Sequence, residues 1–180
     1  PKPHKNLANV LRAYARAREL QDFEAPLVFV GDKSGAESQL NNLAESLGVR
    51  DHVQMLGHVA QEALPAVYQG ASLFLYPTLY EGFGLPVIEA MASGVAVITS
   101  DNSALKEVAE GYAHLVNPLD VEGMAKAIAH CVTDEEHRSA LARLGLRRAA
   151  DFDWRRTAEK TLETYLAVIR SREKSNGEEG

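Results

Sequence analysis

The sequence predicts an α/β fold in which a parallel sheet is flanked by helices. Short apolar runs rich in β-branched residues, typical of buried strands, alternate with longer segments of helical periodicity. Strands that alternate with helices form βαβ units, whose strands run parallel. The chain of 180 residues is long enough for one domain with a sizeable core. Its apolar fraction of 46% is ordinary for a globular protein.

Each element is predicted from its pattern and from the residues that bound it. Strands are expected at 27–30, 52–56, 72–76, 95–99 and 113–116. Helices are expected at 7–20, 36–47, 63–69, 86–93, 104–108, 121–132, 135–150 and 154–170. Asp120, Asp134 and Asp153 occupy predicted N-cap positions, and Asn6 or His4 would cap the first helix. Residues 171–180 are polar and are predicted to form a disordered tail.

The most informative stretch runs from Pro77 to Gly94 and reads P-T-L-Y-E-G-F-G-L-P-V-I-E-A-M-A-S-G. It follows the apolar run S-L-F-L-Y, which is predicted to be a buried strand. Gly82 and Gly84 predict a tight loop with an accessible backbone, and Pro86 suits the first turn of a helix. The free N–H groups and the dipole of that turn favour an anion such as a phosphate.

Two glutamates flank this predicted helix start. Glu81 lies in the loop, and Glu89 lies about one turn into the helix. The two carboxylate oxygens of Glu89 suit a pair of adjacent hydroxyls, as on a ribose, and Glu81 would lie about a sugar's width away. From the residues alone an alternative stays open, in which Glu89 complements the helix dipole and Glu81 is a solvated loop residue.

The loops after the predicted strands should lie along one edge of the sheet. Ligands of parallel α/β sheets bind beyond the carboxyl ends of the strands, so this edge is the expected site. These loops carry the unusual residues Gly31 and Asp32, His58 and Val59, and the segment from Glu81 to Leu85.

Taken together, these segments resemble a known family. The stretch E-G-F-G-L-P-V-I-E-A-M-A-S-G resembles the E-x7-E signature of the family 4 retaining glycosyltransferases, the glycosyl transferases group 1, which have the GT-B fold. P-H-K-N-L at 3–7 resembles the phosphate-binding lysine segment of that family, and L-G-H-V at 56–59 resembles its base-contacting loop. Residues 99–118 and F-D-W at 152–154 also match. The resemblance covers residues 3–170, and its ordered segments are far more specific than the glutamate pair alone.

The resemblance implies that residues 1–170 form the C-terminal, nucleotide-sugar-binding domain of a glycosyltransferase. The domain would be a Rossmann-like half of a GT-B fold that lacks all or part of its first strand. The implied reaction is metal-independent, retaining transfer of a hexosyl group, with mannosyl as one candidate, from a UDP- or GDP-sugar. No cofactor beyond this donor is expected. A glycan or lipid acceptor would be positioned by an N-terminal domain expected to precede this chain, so transfer by the chain alone is expected to be undetectable.

The resemblance also implies roles for individual residues. Lys5 and the start of the helix predicted at 86–93 would neutralise the diphosphate of the donor. Glu89 would bind the ribose hydroxyls, and Glu81, the implied catalytic residue, would bind the hydroxyls of the transferred sugar or face its anomeric centre. His58 and Val59 would contact the base, mostly through their backbone. The predicted substrate-binding residues are Lys5, Gly31, His58, Val59, Glu81, Gly82, Phe83, Gly84, Leu85 and Glu89.

Several alternatives stay open at this level. The arginine that the family places upstream of its lysine would precede Pro1, and Asn6 follows Lys5 where glycine is more common, so Lys5 has the alternative of a solvated terminal lysine. His58 has the alternative of an exposed turn residue, and Phe83 that of a packing residue. A sugar-nucleotide epimerase of the same fold and a non-catalytic nucleotide-binding domain are the alternative functions.

Three further motifs are interpreted as structural, and no metal ligand is predicted. D-F-D at 151–153 resembles a D-x-D metal motif but precedes a helix, so Asp153 is interpreted as an N-cap. E-E-H at 135–137 is interpreted as a solvated first turn. Cys131, the single cysteine, lies in the apolar run A-I-A-H-C-V and is predicted to be a core residue in a reducing compartment.

The net charge and the hydropathy of the sequence limit the classes of partner and the location that can be expected. The formal net charge of −6 argues against nucleic-acid binding, which needs a basic face. The sequence shows neither an apolar segment of membrane-spanning length nor a signal peptide, so a cytoplasmic location is predicted. Arginines near the last helices are interpreted as a solvated face, with peripheral contact of a longer protein to an acidic membrane as the alternative. This basic cluster consists of Arg143, Arg147, Arg148, Arg155 and Arg156.

Overall fold

The structure, a computed structural model, describes the backbone of residues 3–31 and 37–177 and the side chains of these residues up to 171. It divides into two compact units, Pro1–Ala149 and Ala150–Gly180, which are described separately. In the described part of the chain, no helix is both long and apolar enough to cross a membrane.

Strands and helices alternate through the first unit, as predicted. The strands are β1 (Leu27–Val30), β2 (Val53–Gly57), β3 (Leu73–Tyr76), β4 (Ala96–Ser100) and β5 (His114–Val116). The helices are α1 (Leu7–Leu20), α2 (Glu37–Ser46), α3 (Leu64–Gln69), α4 (Leu85–Ala92), α5 (Ser103–Ala109), α6 (Val121–Thr133) and α7 (Glu135–Ala149). β4 begins one residue later than predicted because the N–H of Val95 still bonds to the carbonyl of Ala90 at the end of α4. Residue 36, the predicted start of α2, lies outside the described residues.

All paired strands are parallel, but they form two sheets. One contains β1 and β2, and the other has the order β3-β4-β5. Leu27 is opposite Val53 in the first sheet, and Ile98 is opposite Leu75 and His114 in the second. Among the strands that the structure describes, β1 pairs only with β2 and β3 pairs only with β4. β1 and β3 therefore each have one unpaired edge.

One hydrophobic core joins the two sheets to α1 and α6. Leu11, Met124 and Ile128 are almost completely buried between the two helices and the sheets, and Ile98 is fully buried at the centre of β4. Full burial of such a side chain stabilises the fold by about 1.5–3 kcal/mol relative to exposure. The Tyr14 hydroxyl donates to the carbonyl of Ala25 at 2.8 Å, which fixes the connection between α1 and β1.

α7 packs against α4 and β4, and one arginine anchors its end. Arg148 donates from Nε to the carbonyl of Val108 at 2.9 Å and from Nη2 to that of Glu107 at 3.1 Å. Its guanidinium also lies 5.2 Å from the ring centroid of Tyr112. The prediction of a solvated basic face is therefore wrong for Arg148, because this side chain pairs with carbonyls that the end of α5 leaves without helical partners.

The predicted helix caps are confirmed for two aspartates, whereas the prediction for Asn6 is wrong. Asp120 and Asp134 each accept the backbone N–H three residues on at 2.9 Å, as predicted for N-caps. Asn6 precedes α1 in a left-handed conformation, with φ 60°, and its side chain does not cap the helix. Its buried amide donates instead to the carbonyls of Pro77 at 3.0 Å and Pro118 at 2.7 Å. Asn6 thereby ties the start of α1 to the loop after β3.

The second unit consists mainly of α8 (Trp154–Gly177). The Asp153 carboxylate accepts the backbone N–H of Arg155 at 3.0 Å, so the interpretation of Asp153 as a helix cap is confirmed. The helix continues to Gly177, beyond the predicted end at 170. Residues 178–180 lie outside the described residues, and the division into a domain at 1–170 and a tail at 171–180 stays a prediction.

Candidate functional site

A cavity of about 930 Å³ lies between the two sheets. Apolar side chains of β1 and β3 form much of its wall. The predicted site residues Lys5, Gly31, His58 and Val59 also line it, so the structure brings together the start of the chain and the loops after β1 and β2. The Gly31 N–H donates to the carbonyl of Gly57 at 2.9 Å, which joins these two loops. Asp32, predicted beside Gly31, lies outside the described residues.

Lys5 and Glu81 meet at the end of β3. The Lys5 ammonium donates to Glu81 Oε2 at 2.9 Å and also to the hydroxyl of Tyr76. The Tyr76 hydroxyl in turn donates to Glu81 Oε2 at 2.8 Å, and Lys5 Nζ lies 4.7 Å from the centroid of the Tyr76 ring. The sequence analysis missed Tyr76, although one signal was present: it is the last residue of a strand, at the edge where ligands bind.

The three groups polarise one another. The hydrogen bond from Lys5 holds the pKa of Glu81 below its usual range, against the opposing effect of partial burial. Partial burial alone would lower the pKa of Lys5, but its hydrogen bonds to Tyr76 and Glu81 outweigh this effect and raise it. Partial burial raises the pKa of Tyr76. At neutral pH the cluster therefore holds an ammonium, a carboxylate and a neutral phenol.

The loop that carries Glu81 is fixed by contacts from two directions. The Leu79 N–H donates to the carbonyl of His4 at 2.8 Å, and the side-chain amide of Asn102 donates to the carbonyl of Leu79 at 3.2 Å. The Glu81 N–H donates to Ser103 Oγ at 3.4 Å. Sequence reasoning also missed Ser103, which begins α5 with a φ of 50°. These contacts position Glu81 before any ligand arrives.

Gly84 sets the start of α4, as the sequence predicted. Its φ is 100°, in the region that favours glycine, and a Cβ at this position would lie 2.5 Å from Cδ2 of the buried Leu105. Pro86 occupies the first turn of the helix. Gly82, Phe83 and Leu85 are exposed around this helix start, where N–H groups and the dipole favour an anion.

Glu89 lies one turn into α4 and has a different partner. It is exposed, and its Oε2 accepts a hydrogen bond from the hydroxyl of Tyr68 at 3.0 Å. Tyr68 lines the cavity and packs edge-on against Phe74 with 5.3 Å between ring centroids. Burial, together with the Glu89 charge, raises the pKa of Tyr68, so its hydroxyl stays a donor. The sequence analysis missed Tyr68 because it lies in a short apolar helix without a site motif.

Comparison with known proteins identifies the family. Residues 2–147 match the family model described as glycosyl transferases group 1. The chain belongs to this family. It is 32% identical over 163 residues to O-antigen chain mannosyltransferase B of Escherichia coli, and the aligned region covers 91% of this chain and 43% of that protein. It is 35% identical over 171 residues to MMP alpha-(1->4)-mannosyltransferase of Mycolicibacterium hassiacum, which covers 93% of this chain and 41% of that protein.

Solved structures of this glycosyltransferase type share the fold. Sucrose-phosphate synthase from Thermosynechococcus elongatus matches with a TM-score of 0.81 and 28% identity, over 94% of this chain and 44% of that one. Anabaena HepE, solved in complex with UDP, matches with a TM-score of 0.83 and 22% identity, over 92% of this chain and 46% of that one. The predicted α/β architecture, one half of a GT-B fold, is confirmed. The chain spans less than half the length of these relatives.

Proposed function

We propose that this chain is the donor-binding domain of a retaining, metal-independent glycosyltransferase that uses a UDP- or GDP-sugar. The observation that carries the proposal is the contact of Lys5 with Glu81 beside the start of α4. A cation, a carboxylate and a helix N-terminus within one site suit a diphosphate joined to a sugar. The mannosyltransferases among the relatives support a hexosyl donor, with mannosyl as one candidate, and do not favour the epimerase alternative.

In this proposal Lys5 changes partner when the donor binds. Without donor, the ammonium is shared between Glu81 and Tyr76. A diphosphate at the start of α4 carries more charge than one carboxylate and would attract Lys5 more strongly. Glu81 would then be released toward the hydroxyls of the transferred sugar or its anomeric centre, while Tyr76 holds its carboxylate in place.

Glu89 would bind the ribose. Its Oε2 already accepts the Tyr68 hydroxyl, which fixes the orientation of the carboxylate. Both oxygens retain lone pairs that can accept hydrogen bonds from two adjacent ribose hydroxyls. Tyr68 is thus proposed as a positioning residue for Glu89.

The base would enter the apolar cavity near Gly31, His58 and Val59. Apolar walls with a few polar groups are typical of sites that hold small molecules and cofactors. In the proposal these residues contact the base through backbone groups. Because side-chain identity then does not indicate which base is bound, both uracil and guanine are candidates. Gly82, Phe83, Gly84 and Leu85 would surround the phosphates and the sugar.

The proposed chemistry is positioning and charge stabilisation. When the bond between the sugar and the diphosphate breaks, negative charge grows on the leaving oxygen. Lys5 and the N-terminus of α4 would stabilise that charge without reorganising. Orientation of an acceptor can lower a barrier by a further 7–11 kcal/mol or so. In the proposal the rest of a longer, cytoplasmic enzyme positions this glycan or lipid acceptor and makes any peripheral membrane contact.

Titration calorimetry of this chain with UDP and with GDP, in EDTA and in Mg²⁺, tests the donor site. We expect weak binding of at least one nucleotide that is the same in both buffers. Glu89→Ala should weaken that binding roughly tenfold to a hundredfold, because a hydrogen bond to a charged group contributes about 1.5–3 kcal/mol. Glu45→Ala, which removes an exposed carboxylate on α2, is the matched control and should bind like the parent chain.

Four results would contradict the proposal. Unchanged affinity in Glu89→Ala would remove the ribose role. Binding that strictly requires Mg²⁺ would reject metal-independence, and a lack of binding by either nucleotide at millimolar concentration would reject the donor site. Epimerisation of a free nucleotide sugar by this chain would favour the alternative enzyme class.

A further inference from the structure

A cluster of metal-ligating side chains lies apart from the donor site. His114 begins β5, Cys131 lies in the last turn of α6, and His137 lies in the first turn of α7. One ligand atom from each of the three residues lies within 4.8 Å of the other two. β5 is the edge of the three-stranded sheet opposite β3, with β4 between them, and none of the three cluster residues is among the described residues that line the cavity.

The interior of this cluster contains an unsatisfied polar atom. Nε2 of His137 is buried and has no hydrogen-bond partner among the residues that the structure describes. Leaving a buried donor or acceptor unpaired destabilises a fold, so a ligand for this nitrogen would offset a cost already present. The interpretation of 135–137 as a solvated first turn is therefore wrong for His137.

The other two residues supply side chains of the types that bind transition metals. His114 is partly buried at the start of β5 and offers an imidazole nitrogen. Cys131 is completely buried, which confirms the core position predicted for it, and offers its sulfur. Both lie with His137 where α6 contacts β5 and α7.

The backbone around the cluster is already held in place. Asp134 accepts the N–H of His137 at 2.9 Å, and Arg138 donates to the carbonyls of Cys131 at 3.0 Å and Val132 at 2.9 Å. These bonds fix the junction of α6 and α7, from which two of the three side chains extend. Tetrahedral Zn–N and Zn–S bonds require ligand separations of about 3.3–3.8 Å, which is shorter than the 4.8 Å limit within which the three ligand atoms lie.

We propose that His114, Cys131 and His137 bind a borderline-soft divalent transition metal, with Zn²⁺ as the expected ion. One thiolate and two imidazoles form a ligand set that suits Zn²⁺ and does not suit Mg²⁺ or Ca²⁺. As the Zn–S bond forms, the thiol proton passes to solvent, and the metal compensates the thiolate charge. The fourth position is taken by water or by His130, whose ring lies 4.4 Å from that of His137. The metal would clamp β5, α6 and α7 together.

Metal titration of the reduced, chelator-treated chain tests the site. Co²⁺ should give the intense visible bands of a tetrahedral site together with a thiolate charge-transfer band, and Zn²⁺ should displace it and raise the Tm. Mg²⁺ and Ca²⁺ should do neither. Cys131→Ala and His137→Gln should each weaken Zn²⁺ binding by more than the 10–100-fold or so that loss of an outer-shell partner costs.

The control is His52→Gln, which removes a histidine outside the cluster and should leave Zn²⁺ affinity unchanged. His137→Gln keeps the test decisive if Cys131→Ala does not fold. Zn²⁺ binding that survives His137→Gln, or spectra without a thiolate band, would show adventitious binding to surface histidines and overturn the proposal. UDP and GDP affinity should be the same in His137→Gln as in the parent, so this site and the donor site fail independently.

Discussion

The two sheets of the first unit are buried to different degrees. Every residue of β4, the central strand of the three-stranded sheet, is buried. In the two-stranded sheet burial alternates, and Val28, Val30 and Leu56 are 40%, 44% and 50% exposed. β4 has a paired strand on each side and contacts α4, α5 and α7, whereas β1 has one edge that no described strand pairs with, beside the cavity.

This difference separates the two ends of the candidate site. Glu81 is attached to the buried three-stranded sheet through a loop that is held by hydrogen bonds to residues distant in sequence. Glu89 is attached to the same sheet through α4. Gly31, His58 and Val59 follow the strands of the exposed sheet. Groups that must stabilise charge need fixed geometry, and residues held by dense packing supply it. We infer that the end of the site with Glu81 and Glu89 is the rigid part and the end with Gly31, His58 and Val59 the adaptable part.

The largest expected effect comes from removing core volume in each sheet. Ile98→Ala should destabilise the chain by about 2–5 kcal/mol, because Ile98 is fully buried in β4. Val28→Ala should cost less than about 1 kcal/mol, because the side chain is already partly in solvent. Urea denaturation measures both, and equal losses would break the comparison between the sheets.

A pair of glycine substitutions should give a smaller difference. Gly31 and Gly84 both have positive φ, 139° and 100°, so alanine at either position should introduce backbone strain of about 1–3 kcal/mol. Gly84→Ala should cost about 1–3 kcal/mol more, because its Cβ would overlap Leu105, whereas no atom of the described residues lies within 4 Å of a Cβ at Gly31. The midpoints of thermal unfolding should rank the variants in this order. A Gly31→Ala variant that is the less stable of the two would contradict the packing described for α4.

The smallest expected effect concerns pH. The pKa of Glu81 is lower in the folded chain than its ordinary value of 4.5, chiefly because of the hydrogen bond from Lys5. The contact therefore stabilises the fold fully above pH 4.5, and this stabilisation is lost as the pH falls through the pKa of Glu81 in the folded chain. Glu81→Gln should therefore reduce stability by roughly 0.5–1 kcal/mol at pH 7, and the difference from the parent should shrink below about pH 4.5.

Urea unfolding at pH 7 and at acidic pH measures this difference, with Glu45→Gln run in parallel as a control for the loss of an exposed carboxylate. A difference that stays constant with pH would mean that Glu81 acts by packing and not by its charge.

The sequence by itself determined most of the elements and the local geometry at the start of α4. Apolar periodicity located the strands, and the aspartates marked the helix starts, because both signals depend on residues that are near in the chain. The loop and helix around Gly84, Pro86 and Glu89 were predictable for the same reason. The expected edge of the sheet followed from the parallel topology.

Only the tertiary structure decided which side chains meet. Lys5 reaches Glu81 and Tyr76 across more than seventy residues, and Asn6 bonds to Pro77 and Pro118 instead of capping its own helix. The division into two sheets and the proximity of His137 to His114 and Cys131 also have no local signal. The physical reason is that such contacts depend on strand order, register and the packing of distant helices, which residues neighbouring in sequence do not encode.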